Sequence, residues 1–459
     1  MFRKILIANR GEIAVTIIRA CREMGVQTVA VHSEADRNAL HVQLADESLC
    51  IGPDASKDSY LNMQAILSAC VTSGAEAIHP GFGFLSENAV FARLCEKCKI
   101  KFIGPDAQVM EMMGNKANAR KMAEQSGIPV IPGSKGAVRD VNKALEIAQK
   151  IGYPVLIKAS QGGGGRGMRI AASEADLTGA FQMAKTEAKA CFGDDEVYVE
   201  KLVLEPHHIE IQLLCDEYGH VVHLGDRDCS VQRRNQKIIE EAPSPFMTDE
   251  LRIQMGQAAV CLARKIGYKG VGTIEFLVDK DRNFYFMEMN TRIQVEHPIT
   301  EAITTINLVQ EQIRVAAGEL LRFSQRDIVY RGHAIECRIN AEDPCHDFRP
   351  CPGTIHTLHL PGGQGVRVDS AIYQGYTIPP FYDSLIAKLI VWAPTREEAI
   401  VRMRRALTEF LVIGVETNID FHLSILREKD FVHGHYDNTY LEWKKDMLLN
   451  EKFNTKEEE

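Results

Sequence analysis

The chain has 459 residues, 45% apolar and 25% charged, with a formal net charge of -9 at pH 7, a globular composition with room for about three domains. The negative balance argues against a nucleic-acid partner, which calls for a basic domain or stripe, and no apolar run approaches the length that crosses a membrane. The apolar run before Asn9 and Arg10 is too short for a signal peptide, and twelve irregularly spaced cysteines read as reduced thiols rather than a disulfide framework, so a cytoplasmic protein is expected.

Lys4 to Ala8 is predicted as a strand, Gly11 to Met24 as a helix through Ile13, Ile17 and Cys21, and Gln27 to His32 as a second strand. The intervening turn has one glycine where a dinucleotide fingerprint needs three, which excludes NAD there. Helices at Tyr60 to Ser73 and Asn88 to Lys97 and strands at Ala77 to His79 and Lys101 to Ile103 extend this βαβ opening into a parallel-sheet domain over residues 1–113. The loop HPGFGFLSEN, His79 to Asn88, follows the carboxyl end of a strand, where ligands often bind. A packed loop with a helix cap at Ser86 fits the same residues.

Lys116 opens a helical run, either as a phosphate contact or as a solvated helix lysine. Val155 to Lys158 is a strand, followed by QGGGGRG (Gln161 to Gly167) and a return strand at Met168 to Ala171. Glycines let backbone N–H groups close on phosphate oxygens, with Lys158 reaching the same charge. No Gly-Lys-Ser/Thr leads into a helix, so this is a flap rather than a Walker loop. Val197 to Val203 is a further strand whose Glu200-Lys201 pair fits an adenine seat or a surface salt bridge.

Val271 to Asp279 (VGTIEFLVD) carries Glu275 in an apolar run. A four-residue turn pairing Asp279 with Phe284 sets Glu275 opposite Glu288, two acids that call for a cation between them. In MEMNTRIQVEHP, Met287 to Pro298, the even positions Glu288, Asn290, Arg292, Gln294 and Glu296 alternate with mostly apolar ones, placing polar groups roughly 7 Å apart on one face of an extended segment. Carboxylates and an amide carbonyl suit a hard cation, a guanidinium grips an oxyanion, and a second acid moves a proton. Beyond residue 330, strands at Arg331 to Asn340 and Leu385 to Trp392 and helices at Arg396 to Phe410 and Asn418 to Glu428 read as α+β. Residues 448–459 read as a charged tail, with Glu451 to Glu459 disordered.

These strings resemble the ATP-grasp biotin carboxylases nearly end to end: ILIANRGEIA, HPGFGFLSEN, MGNKANAR, KASQGGGGRGM, EKLVLEPHHIEIQ, DRDCSVQRRNQK, EEAPS, MEMNTRIQVEHPITE and GHAIECRINAEDP. The resemblance implies a three-part α/β and α+β architecture: a Rossmann-like parallel-sheet domain (1–113), an ATP-grasp region (114–330) with a mobile glycine-flap lid at about 131–203, and a carboxyl-terminal α+β domain (331–447). It implies ATP with Mg2+ or Mn2+, bicarbonate as substrate, and biotin arriving on a separate carrier protein, since no Met-Lys-Met attachment motif occurs. It also implies a carboxyltransferase partner and a homodimer. By resemblance, Lys116, Lys158, Gly164 and Gly165 contact phosphates, Glu200, Lys201, Leu202 and Val203 seat adenine, and His208, Gln232 and Asn235 are further nucleotide contacts. Glu275, Glu288 and Asn290 match a metal site. Lys237, Arg292, Gln294, Val295 and Glu296 match a bicarbonate site with Glu296 as base, and Arg338 a residue that stabilises biotin's enolate. Asn235 stands where many relatives have histidine; it can donate through its amide but cannot titrate. Two other classes fit parts of the pattern: a different ATP-grasp carboxylate–amine ligase, needing neither Arg338 nor the 292-to-296 face, and a non-catalytic nucleotide-binding subunit, needing neither Glu296 nor the metal acids.

Overall fold

Short apolar strands alternating with amphipathic helices build the amino-terminal part as a parallel sheet. In the computed structural model, which describes residues 1–159, 168–192 and 195–454, the strands are β1 (Lys4–Ile7), β2 (Gln27–Ser33), β3 (Glu47–Gly52), β4 (Ala77–His79) and β5 (Lys101–Phe102), in the order β3-β2-β1-β4-β5. The helix Gly11–Glu23 turns Ile13, Ile17, Ile18 and Cys21 inward, the spacing that gives a helix one apolar face. β3 was not foreseen, because an edge strand with exposed Glu47, Ser48 and Cys50 carries little hydrophobic pattern. Asn88, not Ser86, caps the helix Ala89–Lys97, its side chain accepting from the Phe91 N–H.

A second unit is the antiparallel sheet β7-β6-β8, from β6 (Val155–Ala159), β7 (Met168–Ala171) and β8 (Val197–Lys201). With the helices Val141–Ile151 and Glu174–Phe192 it encloses its own core, including Ile157, Phe181 and Val199 and drawn wholly from residues 138–199. The glycine run, with Gly164 and Gly165, lies outside the described residues. β8 ends at Lys201, two residues before the expected strand end.

The remaining long strands join one eight-stranded sheet. These are β9 (His207–Cys215), β10 (Val221–Arg233), β11 (Gln236–Ala242), β12 (Gly270–Val278), β13 (Phe284–Asn290), β14 (His333–Asn340), β15 (Val366–Ser370) and β16 (Leu385–Ala393), in the order β13-β12-β9-β10-β11-β14-β16-β15. The sheet therefore runs unbroken across residue 330. Its β10–β11 hairpin closes through Arg234 and Asn235, with φ of 50° and 63°. Two consecutive left-handed residues are what a two-residue hairpin turn requires, and asparagine tolerates that region better than most side chains.

Two expectations are corrected here. The β12–β13 turn pairs Val278, not Asp279, with Phe284, and a register shift between Glu275 and Phe276 restores Glu275 opposite Glu288. The expected tail begins as helix: Tyr440–Asn454 is helical and Leu448 is buried in the carboxyl-terminal core. No helix among the described residues is long and apolar enough to cross a membrane.

Candidate active site

Side chains from the β7-β6-β8 sheet, the central strands and β14 meet around a cavity of about 630 Å³. Its lining includes Lys116, Lys158, His208, Gln232, Asn235, Lys237, Glu275, Glu288, Asn290, Arg292, Gln294, Val295, Glu296 and Arg338. The extended face expected for 288 to 296 holds only to Asn290, where β13 ends; a turn then leads into the helix His297–Thr304. The chain still delivers all five even positions to the cavity. Met287 also lines it rather than sitting on the opposite apolar face, because it is the extra residue of the register shift.

Lys237 is the hub. Its ammonium donates to Glu296 at 2.6 Å, Glu210 at 2.7 Å and Glu275 at 3.1 Å. Arg338 donates to Glu240 at 2.6 Å and to Glu296 at 2.9 Å, so Glu296 lies between two cations. Burial alone would raise the Glu296 carboxyl; the charges of Lys237, Arg338 and Arg227 instead hold it well below the usual carboxylate range. Arg227, fully buried, donates to Glu210 at 2.5 Å and Gln294 at 2.5 Å. Gln294 turns its amide N–H groups to Glu275 and Glu210 at 2.8 and 3.1 Å.

Burial pushes Glu275 and Glu288 the same way, yet their carboxyls end on opposite sides of the usual value. For Glu275 the desolvation that would raise it is overcome by Lys237 and by His208, whose Nε2 lies 3.1 Å from its carboxylate. Glu288 is raised by burial and then by the Glu275 charge. A divalent cation between them would offset the burial and the Glu275 charge that raise Glu288, and with the Asn290 amide oxygen the donors are hard oxygens, which fits Mg2+. Asn290 is already drawn into this corner: its Nδ2 donates to Glu275 at 2.8 Å and its Oδ1 accepts from Arg292 at 3.0 Å. A denser donor set, His208, Glu210 and Glu275, with ligand atoms within 4.8 Å of one another, is neutralised by the Lys237 ammonium.

Four expected nucleotide residues do not line the cavity: Glu200, Lys201, Leu202 and Val203. Nor is the Glu200-Lys201 pair a surface salt bridge, since Glu200 is buried against Arg120 at 2.8 Å and Lys158 at 2.5 Å. Lys201 donates to the Gly152 and Tyr153 carbonyls. Gln232 donates toward His208 Nδ1 at 2.8 Å and to the Cys229 carbonyl at 2.7 Å, which orients the imidazole facing Glu275. Sequence reasoning assigned no role to Glu87, Glu210, Arg227 or Glu240. Glu87 accepts from Arg292 Nε at 2.9 Å and from the Thr291 N–H at 3.0 Å, so the amino-terminal loop fixes the guanidinium. The overlooked signal for Glu210 was polar alternation, Glu210 and Gln212 between Ile209, Ile211 and Leu213, in a strand buried along its length.

Comparison with known proteins covers nearly the whole chain. Residues 1–110 match a family described as the biotin carboxylase N-terminal domain, 115–324 the carbamoyl-phosphate synthase L chain ATP binding domain, and 336–443 the biotin carboxylase C-terminal domain. Biotin carboxylase 1 of Bacillus subtilis (strain 168) is 55% identical over 443 residues, 96% of this chain and 98% of that protein. The pyruvate carboxylase subunit from Methanothermobacter thermautotrophicus is 56% identical over 444 residues, 96% of this chain and 90% of that protein. A crystal structure of the Hydrogenobacter thermophilus 2-oxoglutarate carboxylase biotin carboxylase domain dimer, in complex with MgADP, ADP and bicarbonate, matches with a TM-score of 0.93 at 52% identity over 98% of this chain and 99% of that one.

Proposed function

The chain belongs to the biotin carboxylase family, and from that premise we propose that the cavity beneath the lid sheet is where ATP activates bicarbonate and biotin is carboxylated. The enzyme is an ATP-dependent carbon–nitrogen ligase. The observation that carries the reading is the placement of Glu296 between Lys237 and Arg338, at 2.6 and 2.9 Å, in the same cavity as the opposed acids Glu275 and Glu288. A carboxylate–amine ligase has no use for that cationic pair around a base, and a regulatory protein has no use for the base.

In this reading Lys116, Lys158, Gly164 and Gly165 hold the phosphates, Glu200 to Val203 seat adenine once the lid sheet swings in, and His208, Gln232 and Asn235 complete the nucleotide contacts. Glu275, Glu288 and Asn290 would hold Mg2+ or Mn2+, which when bound neutralises phosphate charge. Lys237, Arg292, Gln294 and the Val295 backbone cradle bicarbonate. Glu296, kept ionised by its two cations, takes the bicarbonate proton as the anion displaces one of them, and phosphoryl transfer to the freed oxygen gives carboxyphosphate. The lysines and Arg292 offset the charge spreading over the transferred group, and lid closure excludes water from this labile intermediate. Carboxyphosphate releases CO2 and phosphate; phosphate accepts the ureido proton of biotin, and Arg338 stabilises the resulting enolate while its nitrogen attacks CO2.

The same proposal includes a biotinylated carrier protein, a separate carboxyltransferase that chooses the acyl acceptor, a homodimer and a cytoplasmic location. Supporting the last are eleven free cysteines among the described residues. Relatives with this architecture are named for both pyruvate and 2-oxoglutarate carboxylases, as expected if acceptor choice lies outside the chain. ADP release from the purified protein should depend on bicarbonate and rise with free biotin. Arg338→Ala should retain nucleotide binding and bicarbonate-dependent ATP cleavage while losing biotin carboxylation by about 10²-fold or more, the usual cost of removing a transition-state donor. Full carboxylation by that variant would remove Arg338 from the mechanism.

A further inference from the structure

Behind the cavity lies a lysine that the reaction does not use. Lys388, on β16, is 0% exposed and sits directly across from Arg338 on β14 and from Asp369 on β15. Opposed cations on neighbouring strands repel, so its burial there needs a reason. Its Nζ donates to the Val295 carbonyl at 2.8 Å, lies 3.1 Å from Glu12 Oε1 and 4.0 Å from Asp369. We propose that Lys388 is a positioning residue for bicarbonate: it grips the Val295 carbonyl and so fixes the Val295–Glu296 peptide, with Glu12 of the amino-terminal helix as its buried counter-charge.

The geometry supports this in three ways. Val295 and Glu296 line the cavity and Lys388 does not, so the lysine acts through the backbone and not on substrate. In a trans peptide the C=O and N–H point in opposite directions; anchoring the Val295 oxygen toward Lys388 turns the Glu296 N–H to the other side, where an oxyanion would meet it. The segment 291–296 also has no regular strand or helix to hold it, so a few bonds must set its course: Glu87 at Thr291, Arg227 at Gln294, and Lys388 at Val295.

The charge state is consistent with such an anchor. Burial would lower the Lys388 ammonium, but Glu12, Glu336 and Asp369 hold it above its ordinary value. Glu12 shows the converse: burial lifts its carboxyl to about 7 against the pull of Lys388, and neither oxygen has a hydrogen bond of acceptable geometry. Glu12 therefore makes no directed bond, and it balances the Lys388 charge in its ionised form. It also ties the first helix of the parallel sheet to the turn that carries the proposed base.

The inference rests on the bicarbonate reading of residues 292 to 296, and the test separates the two. Steady-state kinetics of the full chain are compared for wild type, Lys388→Met and the double variant Glu12→Gln/Lys388→Met. Lys388→Met should raise the bicarbonate KM about tenfold or more while the MgATP KM moves less than about twofold, a tenfold effect being the scale of one lost charged hydrogen bond. The single variant strands a buried carboxylate and should melt earlier; the double variant removes both charges and should regain most of that Tm. Recovered Tm with a bicarbonate KM still raised is the expected result. A bicarbonate KM that returns to wild type together with Tm, or that never changes, overturns the role of Lys388. Wild-type ADP release independent of bicarbonate would overturn the underlying reading as well.

Discussion

Glu241, on β11 and away from the cavity, accepts from Arg396 Nε at 2.7 Å, from His333 at 2.5 Å and from the Tyr436 hydroxyl. Burial alone would raise its carboxyl, but Arg396 and His333 bring it down to about 2. A depressed folded-state pKa means that stabilisation is complete above the unfolded value near 4.3 and is lost as pH falls through the folded one. Glu241→Gln should therefore lower stability at pH 7 by about 3–5 kcal/mol, as for one broken buried ion pair, and flatten the loss of stability between about pH 4.5 and 2. Denaturant unfolding followed by circular dichroism at several pH values checks this; parallel acid limbs for wild type and variant would refute it. At this scale the sequence was readable where a charge broke an apolar alternation, as at Glu275, and unreadable where the reason for a charge lay far along the chain. Glu87 meets Arg292 across 205 positions, and Glu240 needs Arg338 on a neighbouring strand to explain it. Neither contact leaves a local trace.

The β12–β13 hairpin and the β10–β11 turn show how much an element's pattern can carry. In FYFMEMN, Phe284, Phe286, Glu288 and Asn290 are all even positions, yet Phe284 and Phe286 pack with the core while Glu288 and Asn290 face the cavity. A regular strand cannot send one parity to both sides, so the conflict was itself a sign of the bulge at Met287, although the alternation after it was read as unbroken. Strand ends were the harder part: β13 stops at Asn290 because the bonds of 291 to 296 run to side chains from other elements, not to a neighbouring strand. The Arg234-Asn235 turn yields a direct test. Asn235→Gly should leave stability near wild type, whereas Asn235→Val, β-branched at a φ of 63°, should lower it by about 1–2 kcal/mol. Thermal unfolding of the two variants compares them at one position; equal Tm values would mean that the turn does not hold this backbone in solution.

Across the whole molecule, the parts differ in how firmly they are joined. The amino-terminal sheet is locked to the carboxyl-terminal part through a buried cluster: Arg10 pairs with Asp36 at 2.6 Å and stacks over the Tyr382 ring at 4.1 Å, and Tyr382 also bonds Ser33. The sheet β7-β6-β8 has a core of its own, and its ties to the central region include Arg120 on Glu200. A unit with a separate core and few external ties can move as a body at low cost. Under the proposed phosphate role, Lys158, at 2.5 Å from Glu200, must leave that carboxylate to reach its ligand, and Arg120 remains to keep Glu200 paired. On that proposal, nucleotide binding trades an internal ion pair for contacts that bridge the β7-β6-β8 sheet and the central strands. Hydrogen exchange with saturating MgADP should slow amides of β6, β8 and the helix Val141–Ile151 by up to about 10²-fold at ligand near 100 times Kd, and leave β1, β2 and β4 within about twofold of the free protein. Equal protection of both sheets would mean that the whole chain tightens together and that the lid is not an independent body; no protection of β6 and β8 would mean that Lys158 stays on Glu200 when nucleotide binds.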